Sequence, residues 1–224
     1  MQIFGGGLLN VCEIGGGNGK LLYCLERKGI LKSGLNYEVS KNRCDLAQKF
    51  SEILLSKNVK NINCNFLEDR KENEFDCIIM VDIVFQLISP LYDSAEAEMV
   101  QWLRRSLKKG GSLFLEIIDY SDILKYIEKE NVLQTWEEFP EEDPFQYSLQ
   151  KLSIDKDNNL VNEKTFIGRY NNMRDYFKNV IRSYTPEELV KLFSDNRFKV
   201  SVYSLAGQDV MVGKNVFRIL AKKL

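Results

Sequence analysis

VCEIGGGNGKLL, residues Val11 to Leu22, is the stretch whose reading decides the fold. A short apolar run ends at Glu13, glycines stand at alternate positions (Gly15, Gly17, Gly19), and a helical pattern begins at once. This is strand, tight turn and helix N-terminus, in the order that lets a backbone approach a nucleotide-like ligand closely. Two other fingerprints fail letter by letter. A dinucleotide loop needs a third glycine where Lys20 stands after Gly15 and Gly17. A phosphate-binding P-loop needs glycine at Ile14 and serine or threonine at Leu21. A glycine-rich turn that binds nothing is the plain alternative.

Working outward, Leu35 to Val39 (LNYEV) reads as a second strand that ends at Glu38, 19 positions after Gly19. An acid at about 20 residues past such a turn is at the distance of a carboxylate that accepts hydrogen bonds from both ribose hydroxyls. Ser40 then caps a helix over Lys41–Lys57. Lys60–Phe66 is a third strand. Phe75–Val84 (FDCIIMVDIV) is the most apolar run and predicts a central parallel strand buried on both faces. Asp82 near its end is either a site residue or a strand terminator. Ala95–Leu107 is amphipathic, and LKKGGSLFLEI from Leu107 turns through Gly110 and Gly111 into a fifth strand.

From Tyr120 to Arg182 the texture changes. QTWEEFPEEDP (Gln134 to Pro144) is acidic and proline-bearing. Two alternating runs, Phe145–Ile154 and Leu160–Arg169, flank Asp155–Asn159, a strong turn signal. Tyr176–Tyr184 adds a third strand, so a small antiparallel sheet is expected between the fifth strand and the last helix. Thr185 caps that helix with Pro186 at its first position and Glu188 three residues after the cap. Lys199–Leu205 and Val216–Lys222 form the final antiparallel pair.

In this order the segments resemble class I S-adenosylmethionine-dependent methyltransferases over nearly the whole chain. The spacing Glu-x-Gly-x-Gly-x-Gly from Glu13 carries the resemblance, with Glu38, the buried Phe75 strand and the Gly110–Gly111 turn. The resemblance implies an α/β fold: a Rossmann-like, doubly wound seven-stranded sheet, mostly parallel with an antiparallel final strand, plus an inserted antiparallel β lid. Residues 1–119 and 185–224 would be the cofactor-binding core and 120–184 the lid. The glycine-rich residues 1–10 stand where such proteins usually carry a covering helix or two, so that cap is expected to be absent or reduced.

The cofactor implied is S-adenosyl-L-methionine, with S-adenosyl-L-homocysteine as product. Glu13, Gly15, Gly16, Gly17 and Gly19 would hold its methionyl end, and Glu38 with Val39 its ribose. Asn65, aligned where the family prefers an acid, would face the adenine amino group, with Phe66 and Leu67 beside the ring; Glu68 or Asp69 is the alternative to Asn65. Met80, Val81 and Asp82 would stand where cofactor and acceptor meet. Lys109 replaces the proline usual in the family's Gly-Gly turn.

Candidates for the acceptor are Tyr120 and Asp119 at the end of the fifth strand, and Arg182 with Tyr184, which share one strand face. Trp136, Phe145 and Tyr147 are candidates for an aromatic wall. The activity implied is in-line methyl transfer to nitrogen or oxygen of a small metabolite, which needs orientation and exclusion of water more than a general base. A cofactor-binding regulatory or scaffold protein without turnover, and an RNA or protein methyltransferase, remain as alternatives.

Composition narrows the field. Thirty-one basic and 32 acidic residues give a net charge of −1, intermixed along the chain, with no basic track for nucleic acid or an anionic membrane. No apolar run reaches the ~18 residues of a membrane span, and no secretory signal pattern opens the chain. The chain has no histidine, which removes any mechanism needing a His base or a Ser-His pair. Five cysteines without a Cys-x-x-Cys pair read as small apolar residues of a reduced, cytoplasmic protein, with no metal site. The expected partner is a small-molecule methyl acceptor; a homodimer is left open.

Overall fold

The computed structural model describes residues 7–170, 173–204 and 215–224. The chain runs β1 (Leu9–Ile14), α1 (Lys20–Arg27), β2 (Leu31–Tyr37), α2 (Lys41–Ile53), β3 (Val59–Ile62), β4 (Phe75–Met80), α3 (Val84–Ile88), α4 (Ala95–Ser106) and β5 (Leu107–Asp119). It continues through α5 (Ser121–Glu130), β6 (Leu133–Glu138), β7 (Phe145–Ile154), β8 (Leu160–Gly168), β9 (Arg174–Ile181), α6 (Pro186–Asp195), β10 (Phe198–Ser204) and β11 (Asn215–Lys223). One sheet has the order β10-β11-β5-β4-β1-β2-β3 and the other is β6-β7-β8-β9. In the first, β1 is parallel to β2 and β4, β2 to β3, and β4 to β5, whereas β11 is antiparallel to β5 and β10. The second is antiparallel throughout.

Strand alternation explains the two-sided core. Ile78, Met80, Leu113, Leu115 and Ile117 turn to one face and pack with Trp102 and Leu103 of α4 and Phe193 of α6. Trp102 is 2% exposed, and its ring meets Tyr37, Phe66 and Phe75. Truncating such a buried aromatic costs about 3–5 kcal/mol. On the opposite face Val11 and Cys77 pack under Leu22 of α1. A third cluster joins Ile123 and Ile127 of α5 to Leu152, Leu160 and Ile181 at the base of the second sheet.

Several expected boundaries move. The second strand is Leu31–Tyr37 and stops before Glu38, whose amide still donates to the Ile62 carbonyl while its carboxylate accepts backbone amides. The α2 helix ends at Ile53, and Leu55 is left-handed, so the helix does not reach Lys57. The third strand closes at Ile62, and Phe66–Glu68 forms a 3-10 turn capped by the Asn65 side chain. The fourth ends at Met80, because Asp82 and Ile83 both take positive φ (54° and 58°) before α3.

The Gly-Gly segment lies within β5, not before it. Phe75 pairs with Leu107 and Cys77 with Ser112, so Lys108–Gly111 bulges out, with Gly110 at φ 74°. Residues 121–130 are a helix, and Leu133–Glu138 is a strand, so the inserted sheet has four strands rather than three. The capping box at Thr185 is present with both hydrogen bonds. Leu205, expected to end the strand before last, lies outside the described residues.

Candidate active site

The turn after β1 is shaped by its glycines. Gly15, Gly17 and Gly19 take φ of 69°, 56° and 71°, a region side chains avoid. Gly16 has ordinary backbone but no room: a Cβ there would fall 2.5 Å from both Asn36 Oδ1 and Glu13 Cδ. The Gly15 amide donates to the Tyr37 carbonyl at 2.8 Å, which ties the turn to the end of β2. Gly19 caps α1 from the left-handed region, so the turn runs straight into the helix N-terminus.

Two buried carboxylates meet this loop differently. Glu38, after β2, accepts from the Gly17 amide through Oε2 (2.9 Å) and from the Ser40 amide through Oε1 (2.7 Å). Glu13, at the end of β1, is 3% exposed, and its Oε2 has no hydrogen-bond partner among the described residues. Burial, reinforced by the negative charge of Asp82, pushes the Glu13 carboxyl up to about 7.

Glu13, Gly15–Asn18, Arg43, Leu46, Val81 and Asp82 line a cleft of about 370 Å³ at the C-terminal edge of the parallel strands, where open α/β sheets bind ligands. The cleft therefore offers backbone amides at a helix N-terminus on one side and carboxylates on the other. Such a surface suits a zwitterion, whose anionic end favours the amides and whose cationic end favours the acids.

The other expected residues are distributed as follows. Met80 is wholly buried in the main core, and Phe66 is buried against Trp102 with ring centroids 4.9 Å apart. Asn65 spends its side-chain oxygen on the Leu67 amide at 3.1 Å; Leu67 is half-buried, and Val39 is 73% exposed. Asp69 accepts from the Tyr37 hydroxyl at 2.7 Å, while Glu68 stands exposed.

Tyr120 is buried in the cluster under the second sheet, where burial alone lifts its phenol to about 12. Beside it the Asp119 carboxylate accepts from the Ser121 amide at 2.8 Å. Arg182 and Tyr184 both engage Glu96: the guanidinium stands 3.3 Å from Glu96 Oε2, and the phenol donates to the same oxygen. Trp136 and Tyr147 lie together with centroids 5.9 Å apart, on the sheet face turned away from α5. Phe145 sits instead against Phe166.

Arg43 and Leu46 went unrecognised in the sequence although a signal for them exists. With Ser40 as cap they fall three residues apart in the first turns of α2, on one helix face. Asn36, on β2 two residues before Glu38, is also missed. It is fully buried and donates to Asn61 Oδ1 at 3.0 Å; Asn61 donates to the Tyr23 hydroxyl at 2.8 Å, and Tyr23 to the Ala47 carbonyl at 2.7 Å. This relay holds β2, β3, α1 and α2 in register behind the loop.

Known structures share this architecture. An S-adenosylmethionine-dependent methyltransferase of Clostridium acetobutylicum ATCC 824 superposes with a TM-score of 0.74 at 15% identity, over 96% of this chain and 83% of that one. The CcbJ methyltransferase of Streptomyces caelestis gives 0.69 at 16% identity, over 94% and 82%. CalS10, an amino pentose methyltransferase of Micromonospora echinaspora with S-adenosylmethionine bound, gives 0.63 at 13%, over 97% and 84%. No curated protein matches the chain in sequence. Residues 6–201 match the model of a methyltransferase domain family, which takes in the glycine loop, the cleft and the inserted sheet, and the chain belongs to that family.

Proposed function

We propose that the chain transfers the methyl group of S-adenosyl-L-methionine to a nitrogen or oxygen of a small metabolite. The observation that carries this reading is the glycine loop, packed so closely against Glu13 and Asn36 that a Cβ at Gly16 is excluded, beside a buried carboxylate oxygen without a partner among the described residues. The residues fit the cofactor's chemistry. The Gly15, Gly17 and Gly19 amides are spent within the protein, so those of Gly16 and Asn18 suit its carboxylate, Glu13 its ammonium group, and Glu38 its ribose hydroxyls. Val81 and Asp82 border the end where the acceptor enters. When bound, the cofactor supplies an electrophilic methyl group. The protein's part is to orient the acceptor's lone pair toward it and keep water out.

Residues 120–184, through the four-stranded sheet, serve in this reading as the lid over the acceptor. A small acceptor agrees with the net charge of −1 and with the amino pentose substrate of the CalS10 neighbour. Free cysteines, three of them buried, suit a reducing compartment. Among the described residues no helix is long and apolar enough to cross a membrane.

Isothermal titration with S-adenosylmethionine, S-adenosylhomocysteine and NAD tests the reading. Micromolar binding of the first two without NAD is the expected result. Failure of both sulfur nucleotides to bind would leave the loop a structural turn. Binding without methyl transfer to any amine or hydroxyl of a metabolite panel would instead indicate a protein without turnover.

A further inference from the structure

The second sheet has two unlike faces. One carries Leu133, Leu152, Leu160 and Ile181 and is packed on α5. The other exposes large side chains in one register row on β6, β7 and β9, with the half-buried Thr165 of β8 between them. Trp136 pairs with Leu149, Leu149 with Thr165, and Thr165 with Tyr176. Trp136, Leu149 and Tyr176 are 65%, 50% and 60% exposed. A single exposed Leu needs no explanation, but three large side chains in one row on three strands do.

Charged rows border the apolar one. On the side toward the base lie Lys151, Glu163 and Lys178, and on the far side Glu138 and Arg174, on the outer strands of the sheet. About the line between β7 and β8, Lys151 mirrors Glu163 and Glu138 mirrors Arg174, while Lys178 mirrors the uncharged Gln134; Glu163 also bridges Lys151 and Lys178 within its own sheet. A two-fold axis parallel to the strands and between β7 and β8 would exchange β6 with β9 and β7 with β8 of a facing copy. Lys151 would then meet Glu163, Glu138 would meet Arg174, and Trp136 would meet Tyr176, each contact made twice. Isologous packing requires this self-complementarity, and face-to-face sheets with nearly aligned strands are a common solution.

We propose that this outer face is a homodimer interface, in which two copies stack their four-stranded sheets about that axis. A heterologous partner would have no reason to match a pattern that is its own complement. None of the residues of this face lines the cleft at Gly15–Asn18.

Sedimentation equilibrium over a concentration series reads the outcome directly. The wild type is expected at twice the 26.0 kDa of the chain. Glu138→Lys alone and Arg174→Glu alone each place like charges opposite one another and should give monomers, as should Trp136→Ser. An equimolar mixture of Glu138→Lys and Arg174→Glu restores opposite charges across the axis and should return the dimer. Far-ultraviolet circular dichroism and thermal melts check that each variant is folded. A wild type that stays monomeric up to ~100 μM, a dimer affinity weaker than useful, overturns the proposal. So does a dimer that none of the substitutions disturbs, or a mixture that fails to reassociate.

Discussion

Glu13 and Asp82 face one cleft from the ends of adjacent parallel strands, and the charge of one holds up the proton of the other. Glu13 has its carboxyl raised from 4.5 to about 7, by burial first and Asp82 second. The folded protein therefore holds this proton more tightly than the unfolded chain. That contribution to stability is complete below the unfolded value of 4.5 and is lost as pH rises to about 7. Above that, the ionised carboxylate costs up to about 3 kcal/mol. Glu13→Gln should remove this slope and leave the variant more stable than the wild type at high pH. Urea denaturation between about pH 5 and 8 checks it; parallel stability curves for the two proteins would show that Glu13 is not the group responsible.

Glu38 makes a different prediction, because both its oxygens already accept backbone amides. Glu38→Gln keeps one acceptor oxygen but loses the anion. Hydrogen bonds to a charged group contribute about 1.5–3 kcal/mol. Affinity for S-adenosylmethionine should thus fall roughly 10–100-fold, with little change in the melting temperature beyond that of the lost amide bond. Calorimetric titration measures this, and an unchanged dissociation constant would take Glu38 out of the site.

The glycines can be ranked by what surrounds them. An added Cβ at Gly17 finds its nearest neighbour 3.9 Å away, so Gly17→Ala suffers mainly from its φ of 56°. Holding a non-glycine residue there costs about 1–2 kcal/mol. Gly16→Ala strikes the Glu13 and Asn36 side chains at 2.5 Å, and both are buried, so one of them or the loop must shift. It should lose stability by more than ~2 kcal/mol and abolish cofactor binding. Comparing the two variants by thermal melt and titration decides it; equal damage at both positions would mean backbone conformation, not space, governs the loop.

How far the sequence speaks follows from the kind of signal each residue leaves. The Gly15–Gly19 loop and Thr185 cap were legible because their backbone geometry demands particular residues in a fixed local order. The boundary after Met80 was not. FDCIIMVDIV is apolar throughout but for its aspartates, and nothing local announces that Asp82 and Ile83 adopt positive φ against the preference of a β-branched residue. Tertiary packing holds that turn, with Ile83 against the cluster at the base of the second sheet and Val84 against Gly15. The α5 helix did leave a signal, since Ile123 and Ile127 are four apart, but the acidic run that follows masked it. Arg182 and Tyr184 were read as sharing a strand face; their common tie to Glu96, nearly ninety positions away, is a long-range fact that no window contains.

Gln86 is the clearest case of a residue whose importance only the fold reveals. It sits fully buried in α3, directly after the cleft residue Asp82 and the strained turn. Its side chain donates to the carbonyls of Ile118 (2.9 Å) and Arg182 (3.0 Å) and accepts from the Ile118 amide (2.9 Å). Its own carbonyl accepts from the Arg182 amide at 3.0 Å. One amide thus pins the end of β5 and the exit from β9 to the segment that borders the cleft. Gln86→Leu keeps the volume but strips partners from three backbone groups, each worth about 1–3 kcal/mol when left buried and unmatched. The expected loss is roughly 2–5 kcal/mol, with faster proteolysis near Arg182–Ser183 as the base of the second sheet loosens. Gln86→Glu should fail in a distinguishable way. Ionised, its carboxylate faces two carbonyls and repels them; protonated, it recovers one donor, so this variant should regain stability as pH falls while Gln86→Leu does not. Cofactor affinity should change less than turnover in both, because the Gly15–Gly19 amides and Glu38 make no bond to Gln86. A loss confined to cofactor binding, with melting and proteolysis like wild type, would mean the clamp serves the glycine loop rather than the second sheet.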